Sequence, residues 1–149
     1  MPIYEYECGK CGHRFEDLAE MLAGLDRPRR FGVCLDTCHA FAAGYDLRTA
    51  DACAATLDEL DRVVGLNRLL AIHLNDSKRA LGSRVDRHEH IGRGEIGRKG
   101  FAALVRDPRL ADVPMILETP KGKDPRGRDW DKINTGVIRR LGRANVVAD

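Results

Sequence analysis

The residues of this sequence that could carry out chemistry are acids and histidines with regular spacing. Asp86 and His88 are separated by one residue in the segment Gly82–His88. In an extended loop, that spacing places both side chains on the same side, where they can chelate one ion. His39 adds a second imidazole, and two imidazoles with one carboxylate form a common ligand set for catalytic zinc. The sequence therefore predicts a first metal set of His39, Asp86 and His88.

A second group of metal-binding residues lies at the ends of apolar segments. Asp36 ends one segment, His73 lies near the end of the next, and Glu118 lies near the end of a third. We expect these three to form a second set beside the first. Two ions close together suit phosphodiester hydrolysis, because they activate a water near neutral pH and stabilise charge on the attacking and leaving oxygens. No side-chain base is then required, and Glu118 is the nearest candidate for one.

Each of these residues also has a simpler structural explanation. An aspartate at a strand end usually caps a helix or turn. His73, in an apolar strand, would by itself be expected to be a hydrogen-bonded core histidine. Six such residues at one edge of a sheet nevertheless favour a metal site over six independent structural roles.

The elements that must position these residues follow from hydrophobic patterning. Three near-continuous apolar segments predict buried parallel strands, with helical patterns between them. The order α-β-α-β-α-β-α predicts a parallel α/β architecture, in which active sites gather at the carboxyl ends of the strands. The predicted strands are Phe31–Asp36, Leu69–Asn75 and Met115–Thr119, and the predicted helices are Leu18–Leu25, Ala50–Val64, Lys99–Val105 and Trp130–Leu141.

The helix predicted over Ala50–Val64 has the clearest pattern of the four. It places Cys53, Leu57, Leu60 and Val64 on one face and acids on the other. Thr49 or Asp51 could cap its start, and Gly65 would end it.

Composition excludes several classes of protein. The 149 residues include 25 Lys and Arg against 23 Asp and Glu, a net charge of +2, so DNA binding would require a local basic face. No apolar run approaches the roughly 20 residues of a membrane span, and the N-terminus lacks the apolar stretch of a secretory signal. Five cysteines, an odd number, argue against a disulfide framework. We expect a cytoplasmic protein whose cysteines are free or bind metal.

Four motifs resemble the successive signatures of the endonuclease IV family, in family order and spacing, over roughly residues 18–120: GVCLDTCHAFAAGYDLRT, HLNDSK, GSRVDRHEHIGRGEIG and ILETP. The resemblance implies a TIM barrel, a cluster of three zinc ions, and hydrolysis of the phosphodiester 5′ to an abasic site in double-stranded DNA during base excision repair. By position, His39, Asp86 and His88 would hold one zinc completely. Asp36, His73 and Glu118 would supply most ligands of a second.

The resemblance covers only the C-terminal part of that barrel. Of its eight strands, three can be placed here, so the predicted fold is α/β, the last three βα units of a partial TIM barrel. In the family the missing part carries two histidines and a glutamate that complete the cluster, and the side chains that probe the DNA. We expect one complete ligand set and open strand edges, covered by a second copy or a complementary fragment. The alternative is a catalytically inactive zinc-binding fragment.

The N-terminal sequence MPIYEYECGKCGHRFE resembles the start of FmdB-type zinc-ribbon proteins. Cys8 and Cys11 supply two of the four ligands that a structural zinc needs, and Cys34 and Cys38 have the wrong spacing to supply the others. We assign residues 1–17 to a truncated zinc-ribbon-like hairpin and residues 18–149 to the barrel portion. A zinc-ribbon interaction protein is a further alternative, which the absent second pair disfavours.

Two weaker patterns concern ligands other than metals. The segment Gly92–Gly97 satisfies G-x-G-x-x-G, but it follows a loop rather than a strand, which disfavours dinucleotide binding. Arg84 and Arg87 flank Asp86 and could contact DNA phosphates; pairing with nearby surface acids is the alternative.

The remaining cysteine and histidines near these motifs are expected to have no catalytic role. Cys38 is predicted to be a buried thiol rather than a nucleophile. His13 and His90 are expected to be exposed.

Overall fold

The computed structural model describes residues 14–143, in which helices alternate with three short parallel strands and one short antiparallel pair. The predicted zinc-ribbon pair Cys8 and Cys11, and His13, lie outside the described residues. The helices are α1 (Phe15–Ala23), α2 (Thr37–Ala43), α3 (Ala50–Val63), α4 (Gly97–Arg106) and α5 (Trp130–Arg143). The strands are β1 (Val33–Asp36), β2 (Leu69–His73), β3 (Asp76–Ser77), β4 (His88–Glu89) and β5 (Met115–Ile116).

The three predicted strands form one parallel sheet in the order β1-β2-β5. The register pairs Asp36 with His73 and His73 with Ile116, so the carboxyl ends of all three strands meet at one edge. β2 and β5 end earlier than predicted. The backbone of Leu74 still donates to Ile116 at 2.7 Å, but the chain then turns to place polar groups beyond the strand ends. The parallel α/β prediction is confirmed.

A short helix, α2, follows β1 directly and was not predicted. Asp36 caps it, because its Oδ1 accepts hydrogen bonds from the backbone N–H groups of Cys38 (2.8 Å) and His39 (3.1 Å). Gly44, at φ 111°, ends it in the left-handed region that favours glycine. Five of its seven residues are buried, so the segment lacks the polar face that makes a surface helix visible in a sequence.

Helices α3, α4 and α5 pack with the sheet around one hydrophobic core. Cys53, Leu57 and Leu60 of α3 are buried as predicted, and Val64 is half-buried. The Thr49 hydroxyl caps α3 by accepting from the Ala52 N–H at 3.2 Å. The core also includes Phe41, Leu47, Ile72, Phe101 and Leu104.

The start of α1 is anchored to the loop that follows α2. The backbone N–H of Phe15 donates to the Tyr45 hydroxyl at 2.8 Å, and the two rings stack with centroids 3.9 Å apart. The helix therefore begins three residues earlier than predicted and crosses the predicted boundary at residue 17.

Both outer strands of the sheet have an unpaired side among residues 14–143, since only β2 has strand neighbours on both sides. Two large apolar side chains of the sheet are exposed: Leu70 at 36% and Ile116 at 45%. Within the same described range, no helix is long and apolar enough to cross a membrane.

Candidate metal centre at the carboxyl ends of the parallel strands

The six predicted ligands come from four different parts of the chain and meet at one edge of the sheet. β1 ends at Asp36 and β2 ends at His73, while Glu118 lies two residues beyond β5. His39 lies in the first turn of α2, Asp86 lies two residues before β4, and His88 is the first residue of β4. Parallel strand order places these ends together, which is why residues far apart in sequence can form one site.

The first predicted set comes together around the Asp86 carboxylate. Its Oδ2 lies 3.4 Å from His39 Nε2, and its Oδ1 lies 3.2 Å from His88 Nε2. These three side chains are partly exposed, from 23% for His88 to 37% for His39. The set is therefore partly open to solvent.

The second predicted set is more deeply placed. His73 Nδ1 lies 2.9 Å from Glu118 Oε2 and 3.8 Å from Asp36 Oδ2. The side chains of His73 and Asp36 are exposed by only 10% and 11%. At this level of burial, dissolved salt screens the Asp36 carboxylate only weakly.

His88 connects the two sets, which the sequence treats as separate. Its Nε2 lies 3.6 Å from Asp36 Oδ2, and ligand atoms of Asp36, His88 and Glu118 lie within 4.8 Å of one another. Ligand atoms of Cys38, Asp86 and His88 do the same. The six side chains thus form one continuous cluster with His88 at its centre.

The charges of Asp86 and His88 stabilise each other. Contact with His88 lowers the pKa of the Asp86 carboxyl to about 2, although partial burial acts in the opposite direction. The same contact raises the pKa of His88 to about 9, with Asp36 adding to the effect. In the metal-free chain, a neutral solution therefore contains ionised Asp86 beside protonated His88.

The donor atoms of this cluster fit a divalent metal. Asp86 Oδ1 and His88 Nε2 are buried, and among residues 14–143 neither has a hydrogen-bond partner of acceptable geometry. Their contact is thus a charge contact, and both atoms are available as ligands. Imidazole nitrogen and carboxylate oxygen are the donors that catalytic zinc takes, so the residues present fit zinc.

A buried thiol adjoins the cluster, as predicted for Cys38. Its side chain is fully buried, and burial raises its pKa to about 12, with a hydrogen bond to Asp86 as the next cause. At neutral pH Cys38 is therefore a protonated thiol beside the ligands, and the expectation that it is not a nucleophile agrees with this pKa.

The glycine-rich loop after β4 surrounds an internal carboxylate. Asp76 is fully buried and accepts backbone N–H bonds from Gly92 (2.9 Å), Gly94 (3.0 Å) and Ile96 (2.9 Å). These N–H groups would face a phosphate in a dinucleotide site; here they face Asp76. Asp76 was not singled out in the sequence, because only the fold places it beside a loop about 20 residues away.

Sequence reasoning was wrong about His90, which is only 8% exposed. Its ring stacks on Trp130 with centroids 3.7 Å apart, and the Arg93 guanidinium lies 4.6 Å from the Trp130 ring centroid. The aromatic partner comes from α5, 40 residues away, and so could not be read from the local sequence.

The arginines predicted to contact DNA flank Asp86 in the chain. Arg84 and Arg87 are both exposed. Arg87 Nη1 donates to the backbone oxygen of Asp86 at 2.8 Å. Arg84 has a positive φ of 56°, a region that non-glycine residues rarely adopt.

Comparisons with known proteins agree with the motifs. A family model described as xylose isomerase-like TIM barrel matches residues 2–137. The chain is 54% identical over 132 residues to the probable endonuclease 4 of Chloroflexus aggregans, covering 89% of this chain and 45% of that relative. It is 53% identical over 138 residues to the probable endonuclease 4 of Geobacter sulfurreducens, covering 93% and 46%.

A solved structure is similar over the same extent. Endonuclease IV from Thermus thermophilus has a TM-score of 0.72 and 48% sequence identity, covering 86% of this chain and 43% of that one. The chain therefore spans less than half the length of these relatives. The family match begins at residue 2, inside the segment assigned to a zinc ribbon, and the boundary at residue 17 stays a prediction. The chain belongs to the xylose isomerase-like TIM barrel family, and its resemblance to endonuclease IV is confirmed.

Proposed function

We propose that this chain contributes the zinc-binding part of an enzyme that hydrolyses DNA phosphodiester bonds 5′ to abasic sites in base excision repair. The observation that carries the proposal is the convergence of three histidines and three carboxylates at the carboxyl ends of β1, β2 and β5. Relatives called endonuclease 4 share about half of its residues, which supports a DNA-cleaving hydrolase.

The ligands divide by contact into two overlapping groups. His39, Asp86 and His88 would hold one zinc, and Asp36, His73 and Glu118 would supply ligands of a second. Zinc at these positions would lower the pKa of a water molecule and stabilise negative charge on the phosphate. Water adds to phosphorus, the bond to the 3′ oxygen breaks, and that oxygen takes up a proton. Glu118, with 40% of its side chain exposed, would be the nearest candidate for a side-chain base.

The DNA duplex would lie across the exposed face of the cluster. Arg84 and Arg87 flank Asp86 in the chain and are both exposed, so they could contact phosphates near the reacting one. Contacts of this kind give affinity and register but no base specificity, as suits an enzyme whose target is a missing base.

The share of its relatives that the chain covers favours one alternative function. The chain covers 43–46% of the length of these relatives. It could therefore bind zinc without completing the reaction. In that case a second copy, or a complementary polypeptide, would be needed to supply the remaining ligands and to cover the exposed strand edges.

Cleavage of a duplex with one abasic site tests the proposal. The purified chain, loaded with zinc, should cut the abasic strand on the 5′ side and leave a 3′-hydroxyl end. His88→Ala should abolish cutting. His90→Ala is the matched control, because that ring stacks on Trp130 and does not face the cluster.

Two results would contradict the proposal. Cutting that survives in His88→Ala would mean that a contaminating nuclease is responsible. A folded wild-type chain that binds zinc but does not cut DNA would support the inactive zinc-binding fragment instead of the enzyme.

A further inference from the structure

Asn75 lies just beyond β2, between two of the proposed ligands, and is fully buried. Its side-chain nitrogen donates to Asp36 Oδ2 at 2.8 Å, and its side-chain oxygen accepts from the backbone N–H of Glu118 at 3.1 Å. A backbone N–H can only donate, so the amide oxygen must face Glu118 and the NH₂ group must face Asp36. One amide thus connects the residue that ends β1 with the segment that follows β5.

The hydrogen bond from Asn75 holds the second oxygen of the Asp36 carboxylate in place. Its Oδ1 is already held by the backbone N–H groups of Cys38 and His39 at the start of α2. Its Oδ2 accepts from Asn75 and lies 3.6 Å from His88 Nε2 and 3.8 Å from His73 Nδ1. With a donor on each oxygen the carboxylate cannot rotate freely, and Oδ2 stays directed at the two imidazoles.

Asn75 itself is held in place by Thr37, which is also fully buried. The Asn75 N–H donates to the Thr37 hydroxyl at 2.9 Å, and that hydroxyl donates to the Asn75 carbonyl at 2.7 Å. Two reciprocal hydrogen bonds across the ends of β1 and β2 fix the backbone from which the amide projects.

We propose that Asn75 is a positioning residue of the metal centre, which acts by holding the Asp36 carboxylate and the backbone of Glu118 in the geometry that zinc requires. This inference rests on the proposed function, since it takes Asp36 and Glu118 as metal ligands. Hydrogen bonds behind ligating carboxylates orient them, and loss of such a partner typically costs about 10- to 100-fold in metal affinity.

The test compares Asn75→Ala with Asn134→Ala. Asn134 is equally buried at 1% exposure, but it bonds to Ile91, Thr119 and His90 rather than to a proposed ligand. Zinc affinity of the full chain is measured by competition with a chromophoric chelator, and unfolding of the metal-free chain is measured separately. Both variants should lose stability. Asn75→Ala alone should bind zinc about 10- to 100-fold more weakly.

A second variant keeps the test decisive if Asn75→Ala does not fold. Asn75→Asp preserves the size and the acceptor toward Glu118 and, in its ionised form, removes the donor toward Asp36. With Co²⁺ as the probe, its visible absorption bands should shift from those of the wild type, because Asp36 is no longer held. A residue that only fills space would leave the bands unchanged.

The outcomes separate this inference from the proposed function. A wild-type chain that binds neither zinc nor cobalt overturns both. A wild type that binds zinc, with unchanged affinity in Asn75→Ala or an unchanged cobalt spectrum in Asn75→Asp, overturns the positioning role alone.

Discussion

At the scale of single residues, the properties of this chain depend on how a few buried polar groups are paired. The contact of His88 with Asp86 has the largest effect on charge, because each side chain stabilises the charged form of the other. A protonated imidazole cannot bind metal, so this pairing makes zinc binding a competition between the metal and a proton.

Zinc affinity should therefore rise with pH. The pKa of His88 in the metal-free chain is about 9, so below that pH zinc must displace one proton from it. Release of this proton should make the apparent binding constant for zinc increase about tenfold per pH unit between pH 7 and 9. Above pH 9 the constant should level off. Isothermal titration in buffers with different ionisation enthalpies measures both the constant and the proton released.

Removing the charge of Asp86 provides the control for that titration. In Asp86→Asn the cause of the raised pKa is gone, so His88 should titrate at lower pH and the dependence between pH 7 and 9 should flatten. Binding also weakens, because a ligand is lost. An affinity of the wild type that is independent of pH in this range would contradict the assignment of His88 as a ligand.

At the scale of elements, the glycine-rich loop after β4 is fixed by a side chain from elsewhere in the fold. Asp76 holds the glycine-rich loop by its backbone N–H groups, and Gly94 allows the close approach. A Cβ atom at Gly94 would lie 2.6 Å from Asp76 Oδ1 and closer still to the backbone oxygen of Ser77. The loop has no room for any side chain at this position.

Gly94→Ala should therefore destabilise the chain by about 1–3 kcal/mol, the typical cost of overpacking. Gly136→Ala is the matched control, since it lies within α5 and its Cβ would meet only the end of the Arg140 side chain at 3.4 Å. Alanine in a helix should stabilise there by about 0.5–1 kcal/mol. Urea unfolding of both variants measures the difference in their free energies of unfolding. An equal change in the two variants would contradict the close approach of Asp76 and Ser77 to Gly94.

The turn after α4 is stabilised by a charged group with a defined pH dependence. Arg109 donates to Asp107 with Nε at 2.9 Å and Nη2 at 2.7 Å, and it also reaches Asp58 of α3. The Arg109 side chain holds the pKa of Asp107 below its usual range. A lowered carboxyl pKa adds stability above the ordinary value near 4, and that stability is lost as the pH falls through the lowered value.

Asp107→Asn should accordingly cost about 1 kcal/mol at pH 7 and progressively less as the pH falls below about 4. Urea unfolding of the wild type and the variant across this range measures the difference. A cost that stays constant down to pH 2 would show that shape, not charge, is responsible.

At the scale of the whole molecule, the sheet leaves apolar surface and strand edges open within residues 14–143. Ile116 lies on the outer strand β5 and is 45% exposed, and Leu70 of β2 is 36% exposed. Unpaired strand edges with apolar side chains are sites of association with further strands.

We expect the chain, as printed, to associate in a concentration-dependent manner. Ile116→Lys should shift the equilibrium toward the monomer, because a charged side chain on an edge strand opposes pairing. Sedimentation velocity over a range of concentrations measures the distribution. Met21→Lys, a change at an exposed residue of α1, serves as the control. If both variants shift the equilibrium equally, the association does not occur through the sheet edge.

The sequence by itself determined those features that depend on local spacing and composition. The three strands are visible because buried parallel strands need continuous apolar residues. The Thr49 cap follows from residue type and the apolar face of α3 from helical periodicity, and the residue types at the strand ends predicted the cluster of acids and histidines. Helix α2 escaped detection because a short buried helix has no polar face.

The tertiary structure decided the contacts between residues that are distant along the chain. Asn75 bonds to residues 39 positions before it and 43 after it; Asp76 lies inside a loop far downstream, and His90 is covered by Trp130. Such pairings depend on packing of several elements at once, so no local pattern encodes them. They also determine the exact orientation of the ligands, because a carboxylate is directed by whatever hydrogen-bonds to its second oxygen.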